Sequence, residues 1–297
     1  MATFRPARAS DLPEIYYIFY LNETAFAPTS RPPIGEIAAD FWHIYKTGTM
    51  YVAEDEKRVL AFAASITRAG KTFLTHLYVH PDHQSEHLGT QLLQFVLPAD
   101  HEKTRFTVSS TDLRALSLYI RLGMQPQWSN YLLGAFGPLA AASLQTEIEC
   151  REGTEDDPQF VEWDSVASGR RRPEDIAYWV CEQSAIPLWF RRRDKTVGYG
   201  YVSLNTSSFW ASGVCTIGPV GVKQAEDAAD CVLAAIQWAS QHTTVHSYRI
   251  DVPGPHPCMA PLLAAGFRIF YPETFVSSAR TPFFDARCYI PSGSNLF

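Results

Sequence analysis

Short β-prone runs separated by charged or glycine-bearing turns fill much of the first half of the chain. Thr3–Ala7 alternates as a short strand, and Ser10-Asp11-Leu12-Pro13-Glu14 marks a helix start in which Ser10 caps a helix carrying Ile15, Ile18, Phe19 and Phe26. After the Pro32-Pro33 break, Ile34–Tyr45 has amphipathic spacing. Runs near 49–54, 58–67 and 71–79 then predict an antiparallel meander. A polar turn from His80 opens a helix reaching about Leu97, followed by a strand at 104–109, a helix carrying Tyr119 that stops at Gly123, and strands near 124–136.

The same order recurs from about Thr146. A strand (Glu147–Arg151), a turn-helix signal (Gly153–Pro158) and a helix near 173–183 precede strands at 187–192, 196–204 and 211–222. A helix over 224–240 leads to a strand at Ser247–Val252, a turn at Pro253–Pro257 and a helix ending Leu262-Leu-Ala-Ala-Gly266-Phe267. That ending falls in register with Tyr119-Ile-Arg-Leu-Gly123-Met124. A period near 145 residues means a pair of duplicated domains rather than a solenoid.

Composition narrows the class. The 297 residues are 46% hydrophobic and 19% charged, enough for two packed cores, and the net charge of −6 argues against a nucleic-acid surface. The basic triplets Arg170–Arg172 and Arg191–Arg193 read as solvated helix ends or strand edges. All six cysteines lie in the second half without a C-x-x-C, which suits reduced thiols. With neither a leader pattern nor a long apolar run, a cytoplasmic protein with no membrane partner is expected.

The candidate chemistry begins where the run Leu74–Val79 meets His80-Pro-Asp-His-Gln84-Ser-Glu-His87-Leu-Gly89-Thr. Strand, polar turn and helix in that order leave backbone N–H groups free at a helix N-terminus, where a pyrophosphate is held. About thirty residues on comes Asp112-Leu-Arg-Ala115-Leu-Ser-Leu-Tyr119-Ile-Arg-Leu-Gly123-Met124. Together the two segments resemble the GNAT superfamily of acyl-CoA-dependent N-acyltransferases. The family's loop Gln/Arg-x-x-Gly-x-Gly/Ala is met by Gln84, His87 and Gly89, with histidine at the first glycine. Its pattern Asn-x-x-Ala-x-x-x-Tyr-x-x-x-Gly-Phe is met by Asp112, Ala115, Tyr119, Gly123 and Met124, with Asp for Asn and Met for Phe.

The resemblance implies an α/β (α+β) chain of two GNAT-like domains, each a mixed, mostly antiparallel sheet flanked by helices. Residues 1–137 form the first domain, 138–145 a linker and 146–297 a degenerate second domain, an arrangement similar in architecture to mycothiol synthase. It implies acetyl-CoA, or another acyl-CoA, on Leu77, Tyr78, Val79, Gln84, Ser85, Glu86, His87, Leu88, Gly89, Thr90, Asp112 and Ala115. Transfer would go by direct attack to a primary amine on a small molecule or peptide. No cysteine of the first half offers itself as a covalent carrier.

Tyr119 stands where the family's general acid protonates the departing thiolate, a core aromatic being its other reading. His76 is the candidate base, although parity in a regular strand would turn it away from the face on which the family's base stands. Glu54, Asp112 and a water chain stay open for that role. His80, His83 and His87 form no convincing metal set, and none is expected. The second half lacks a glycine in its turn Lys223–Ala229, carries Glu226, Asp227 and Asp230 there, and has Leu262 in the place of Tyr119. The alternative to an enzyme is a non-catalytic acyl-CoA-binding or interaction protein. Gly89 and Tyr119 favour the enzyme; the missing glycine and missing base favour the rival.

Overall fold

The computed structural model describes residues 2–25, 30–99, 103–209 and 212–297. Phe26, expected on the first helix, lies outside the described residues. The fold is mixed α/β, with a largely antiparallel sheet flanked by helices, as expected. Contacts divide the chain into two compact units: Met1–Thr107 with Ser208–Trp210, and Val108–Ser207 with Ala211–Phe297.

The first unit runs β1 (Thr3–Pro6), α1 (Leu12–Glu23), α2 (Ala39–Thr47), β2 (Thr49–Asp55), β3 (Arg58–Arg68), β4 (Lys71–Val79), α3 (Leu88–Val96) and β5, which begins at Thr104 and ends at Ser109. The order is β1-β2-β3-β4-β5, antiparallel up to β4 and parallel between β4 and β5. Helix α1 starts one residue later than the sequence reading. Ala9–Asp11 form a 3₁₀ turn, and Asp11 is the N-cap residue of α1. Its carboxylate accepts from the Arg8 amide at 2.7 Å and from Arg5 Nη1 at 2.6 Å. Leu12, Ile15, Phe41 and Ile44 are buried from α1 and α2, and Leu92, Leu93 and Val96 from α3.

The second unit contains α4 (Leu113–Arg121), β6 (Gln125–Phe136), β7 (Glu149–Glu152), α5 (Gln159–Ser168), α6 (Pro173–Cys181), β8 (Ile186–Arg192), β9 (Lys195–Thr206), β10 (Val214–Val222), α7 (Ala225–His242), β11 (Ser247–Pro253), α8 (Met259–Ala264), β12 (Arg268–Ser277) and β13 (Tyr289–Ile290). Its order is β12-β6-β11-β10-β9-β8-β7, with β13 on β10. β6 therefore sits between β11 and β12, Leu133 facing Ile250 on one side and Ile269 on the other. No disulfide joins any of the six cysteines.

One expectation fails here. Arg170 and Arg172 are 2% and 1% exposed, not solvated. Arg172 forms a two-pronged pair with Asp164 at 2.8 Å on each prong, and Tyr199 Oη donates to the same carboxylate at 2.7 Å. Arg172 Nη1 also donates to the Phe297 carbonyl at 2.7 Å. Arg170 and Arg172 stay dry, while Arg171 between them is exposed, because the Phe297 carbonyl comes to both of them from far along the chain and Asp164 from α5 pairs with Arg172. Replacing Arg172 by Leu strands the Asp164 carboxylate in the interior and is expected to cost about 3–5 kcal/mol in chemical denaturation. Arg171→Leu, which removes only an exposed pair with Glu162, should change stability by less than about 1 kcal/mol.

Candidate functional site

Strand β4 carries the site because a bulge gives it two different faces. Ala64 pairs with His76 and Ser65 with Leu74, so Thr75 is an extra residue, its hydroxyl donating to the Ala64 carbonyl at 3.0 Å. Beyond the bulge, Leu77 and Val79 face the start of α3. A methyl built on Gly89 would lie 3.6 Å from Leu77 and 3.8 Å from Val79. His76 and Tyr78 face α1, where Phe19 meets their rings at 5.8 and 5.2 Å.

The outer edge of β4 is the second feature. It pairs with β5 only from Lys71–Thr104 to Phe73–Phe106, and the Thr107 hydroxyl donates to the Leu74 carbonyl at 2.8 Å. The strand continues to Val79 with no further β5 partner in its register. Past Leu74 that edge of β4 has no β5 strand in register, which is where an extended ligand would add, and the Val79 carbonyl there accepts from Asn22.

Past Val79 the chain makes a 3₁₀ turn over Pro81–His83, reaches Gln84 in extended conformation and enters α3 through His87. Ser85 and His87 both have left-handed backbone, at φ 72° and 62°. Each costs about 1–2 kcal/mol relative to glycine, and a histidine therefore stands where the missing glycine would be most at ease. The geometry nonetheless survives: a left-handed residue followed by helical ones forms a concave nest of N–H groups suited to an anion. The amides of Leu88, Gly89 and Thr90 precede the first donor of the helix, Gln91, whose N–H reaches the His87 carbonyl at 3.2 Å. Gly89 itself is helical, so its value is the lack of a side chain and not a special φ.

Asn22, which sequence reasoning missed, clamps this region. Its Nδ2 donates to the carbonyls of Ile18 at 2.8 Å and Val79 at 3.0 Å, and its Oδ1 accepts from Gln84 Nε2 at 3.3 Å. No local pattern marks such a residue, because its partners lie some 57 and 62 positions away. Beside it, Tyr78 Oη donates to Glu23 Oε1 at 2.8 Å.

His76 is poorly suited to be a base. It is 2% exposed among Phe41, Phe19 and Phe62, with Nδ1 next to the Thr75 hydroxyl and Nε2 without a hydrogen-bond partner. Burial pushes its pKa down to about 3, so the ring is neutral at pH 7 and resists protonation. His256 in the second unit is likewise buried and pushed to about 3. In the unfolded chain both rings bind protons below about pH 6.5, whereas the native chain leaves them neutral until about pH 3. Stability is thus full above about pH 6.5 and falls as pH drops toward 3, by up to about 1.4 kcal/mol per pH unit for each ring. Denaturation of His76→Leu across that window should show a slope smaller by about one proton. An unchanged slope would contradict the burial.

The other sequence-selected residues share α4 in the second unit. Asp112 is its N-cap, accepting from the Arg114 amide at 2.8 Å and pairing with the Arg114 guanidinium, whose hydrogen bond holds the carboxyl below its usual range. Ala115 lies on the first turn. Tyr119 is buried, and burial, reinforced by the Asp112 charge, raises its phenol well above the ordinary value. Its proton is therefore held at neutral pH, and the raised pKa makes the phenol a weaker donor than an exposed tyrosine.

The corresponding parts of the second half differ. Gln224 opens α7 without a side-chain cap, and Arg192 engages its acidic start, reaching Asp227 in the first turn at 2.8 Å and Asp230 in the second at 2.6 Å. Among the described residues no group of three or more His, Cys, Asp or Glu is placed to hold a metal, and no helix is long and apolar enough to cross a membrane.

Residues 46–126 match the family model of the acetyltransferase (GNAT) domain, which spans the meander, the loop, α3 and α4. No curated protein matches the chain. Similar solved structures include a candidate acetyltransferase from Pyrococcus horikoshii, 14% identical over all of this chain and 96% of that one, at a TM-score of 0.75. A GCN5-related N-acetyltransferase from Sphaerobacter thermophilus is 14% identical over 93% of this chain and 95% of its own, at 0.64. A tandem GNAT protein from the clavulanic acid biosynthesis pathway is 14% identical over 95% and 100%, at 0.60. At these identities the likeness is one of fold, and the fold is that of the GNAT acetyltransferases.

Proposed function

We propose that the chain is an N-acetyltransferase that moves an acetyl group from acetyl-CoA, or another acyl-CoA, to a primary amine of a small molecule or peptide by direct attack. In this reading the tandem halves are 1–137 and 146–297, and the first carries the cofactor. The observation that supports it is the stretch of β4 beyond Leu74 that has no β5 strand in register and leads into a nest of amides at the start of α3. An extended arm can add to that edge as a strand would, while a pyrophosphate takes the amides from Gln84 to Thr90. When bound, acetyl-CoA supplies a thioester whose carbonyl carbon the amine attacks.

The chain's own groups then divide the work. Leu77 and Val79 wall the α3 side of the strand and Tyr78 the α1 side. Tyr119 holds a proton on Oη for the departing thiolate. Asn22 keeps the strand end and Gln84 in place. Acetyl-CoA turnover against an amine library, read by thiol release, tests the reading.

A specific observation favours the rival reading of a non-catalytic acyl-CoA-binding protein: His76 is sealed among aromatic rings and cannot easily take a proton. Tight acetyl-CoA binding with no thiol release from any amine would select that rival.

A further inference from the structure

The two halves treat equivalent strand edges in opposite ways. In the second unit β10 pairs in parallel with β11 only from Cys215–Tyr248 to Ile217–Ile250, the same short overlap as between β4 and β5, and then parts from it. Here the gap is filled. β13 lies antiparallel on β10, Val220 facing Ile290 and Gly221 facing Tyr289, and the Val222 amide donates to the Cys288 carbonyl at 3.0 Å. The opposite edge of β10 is taken by β9, with Val220 facing Gly200, so β13 occupies the side from which β11 has departed.

The rest of the segment is seated just as deliberately. Phe284, Tyr289 and Phe297 are buried and pack edge-on or tilted against one another, and Phe284 and Phe297 reach Phe275 at 5.6 and 5.1 Å. Arg172 holds the Phe297 carbonyl, and Arg170 donates to the same oxygen. Near the segment, Asp251 is 2% exposed; among the described residues its Oδ1 lacks a hydrogen-bond partner, while its Oδ2, 3.7 Å from Arg249 Nε, lies 3.9 Å from the position a side chain on Gly293 would take.

We propose that the gap in the second half is a peptide-binding groove whose ligand is the chain's own segment from Phe284 to Phe297. An extended, aromatic-bearing peptide stands where the first half offers an edge to the acyl-CoA arm. The second half is thereby closed to cofactor by occupancy, in addition to its acidic, glycine-free turn. The part of this inference that concerns cofactor rests on the acetyl-CoA reading above; the part that concerns the peptide does not.

The test uses the full chain with a protease site inserted between Arg280 and Thr281, both exposed. After cleavage of the folded protein, the fragment should remain bound in native mass spectrometry. An isotope-labelled peptide of residues 281–297 should exchange into its place. The same peptide with Ile290→Pro loses a donor in register with Val220 and should compete at least about tenfold less well. A fragment that leaves a folded body unable to rebind it, or equal competition by the proline peptide, overturns the groove. Calorimetry on the intact chain separates the two claims. One equivalent of acetyl-CoA is expected and two would overturn exclusion by occupancy. None would remove the acetyl-CoA reading while leaving the peptide result to stand.

Discussion

Gly89→Glu is expected to weaken acetyl-CoA binding at least about a hundredfold while leaving the fold intact. Gly89 lies in the first turn of α3, where an acidic side chain suits the helix end, so folding has no reason to suffer. A Cβ at this position meets Leu77 and Val79 at ordinary contact distances, which leaves a longer side chain no inward path. Its carboxylate must emerge among the amides assigned to the pyrophosphate. A negative charge about 5 Å from a phosphate costs on the order of 3 kcal/mol at an effective dielectric constant near 20, roughly two orders of magnitude in affinity. Gly89→Ala is the matched control, since its methyl fits at 3.6 Å and adds no charge; it should bind within a few fold of the parent. Calorimetry of both variants, with circular dichroism to verify folding, checks the pair. Parental affinity in Gly89→Glu would move the phosphate site elsewhere.

Tyr119→Phe should lower the single-turnover rate by about 10²- to 10⁴-fold, the usual worth of a general acid, with cofactor affinity unchanged. Only the hydroxyl is lost; the ring keeps its buried place on α4. Burial and then the Asp112 charge both favour the protonated phenol, which therefore carries its proton at neutral pH. Single-turnover rates are the proper readout, because slow product release could mask the loss in steady state. A rate within about threefold of the parent would mean that Tyr119 serves as a core aromatic only.

What the sequence revealed and what it hid divide along the range of the interactions involved. The meander, the turn after Val79 and the helix carrying Tyr119 were legible because alternation, glycine and helical spacing are local signals. The bulge at Thr75 was not, because it is a mismatch against Ala64 and Ser65 on β3. His76 lies beyond it, where regular alternation puts it with Tyr78 on the face opposite Leu77 and Val79, as strand parity led one to expect. The burial of Arg170 and Arg172 depends on Asp164 and on Phe297, more than a hundred residues further on. The placement of β6 between β11 and β12 was equally hidden: alternation and turn signals show where strands lie, not which strands far apart in the chain will pair. At the loop, the sequence left the backbone of His87 open. Its left-handed conformation keeps the amide nest while withholding the glycine that makes one comfortable.

Hydrogen exchange of the intact chain, with and without saturating acetyl-CoA, tests the central claim most directly. The account predicts new protection concentrated in 75–91, where β4 runs out past its partner and the amides open α3, and no change in 216–227, where β10 is already paired with β13. Protection in 216–227 with none in 75–91 would contradict it and assign the cofactor to the second half.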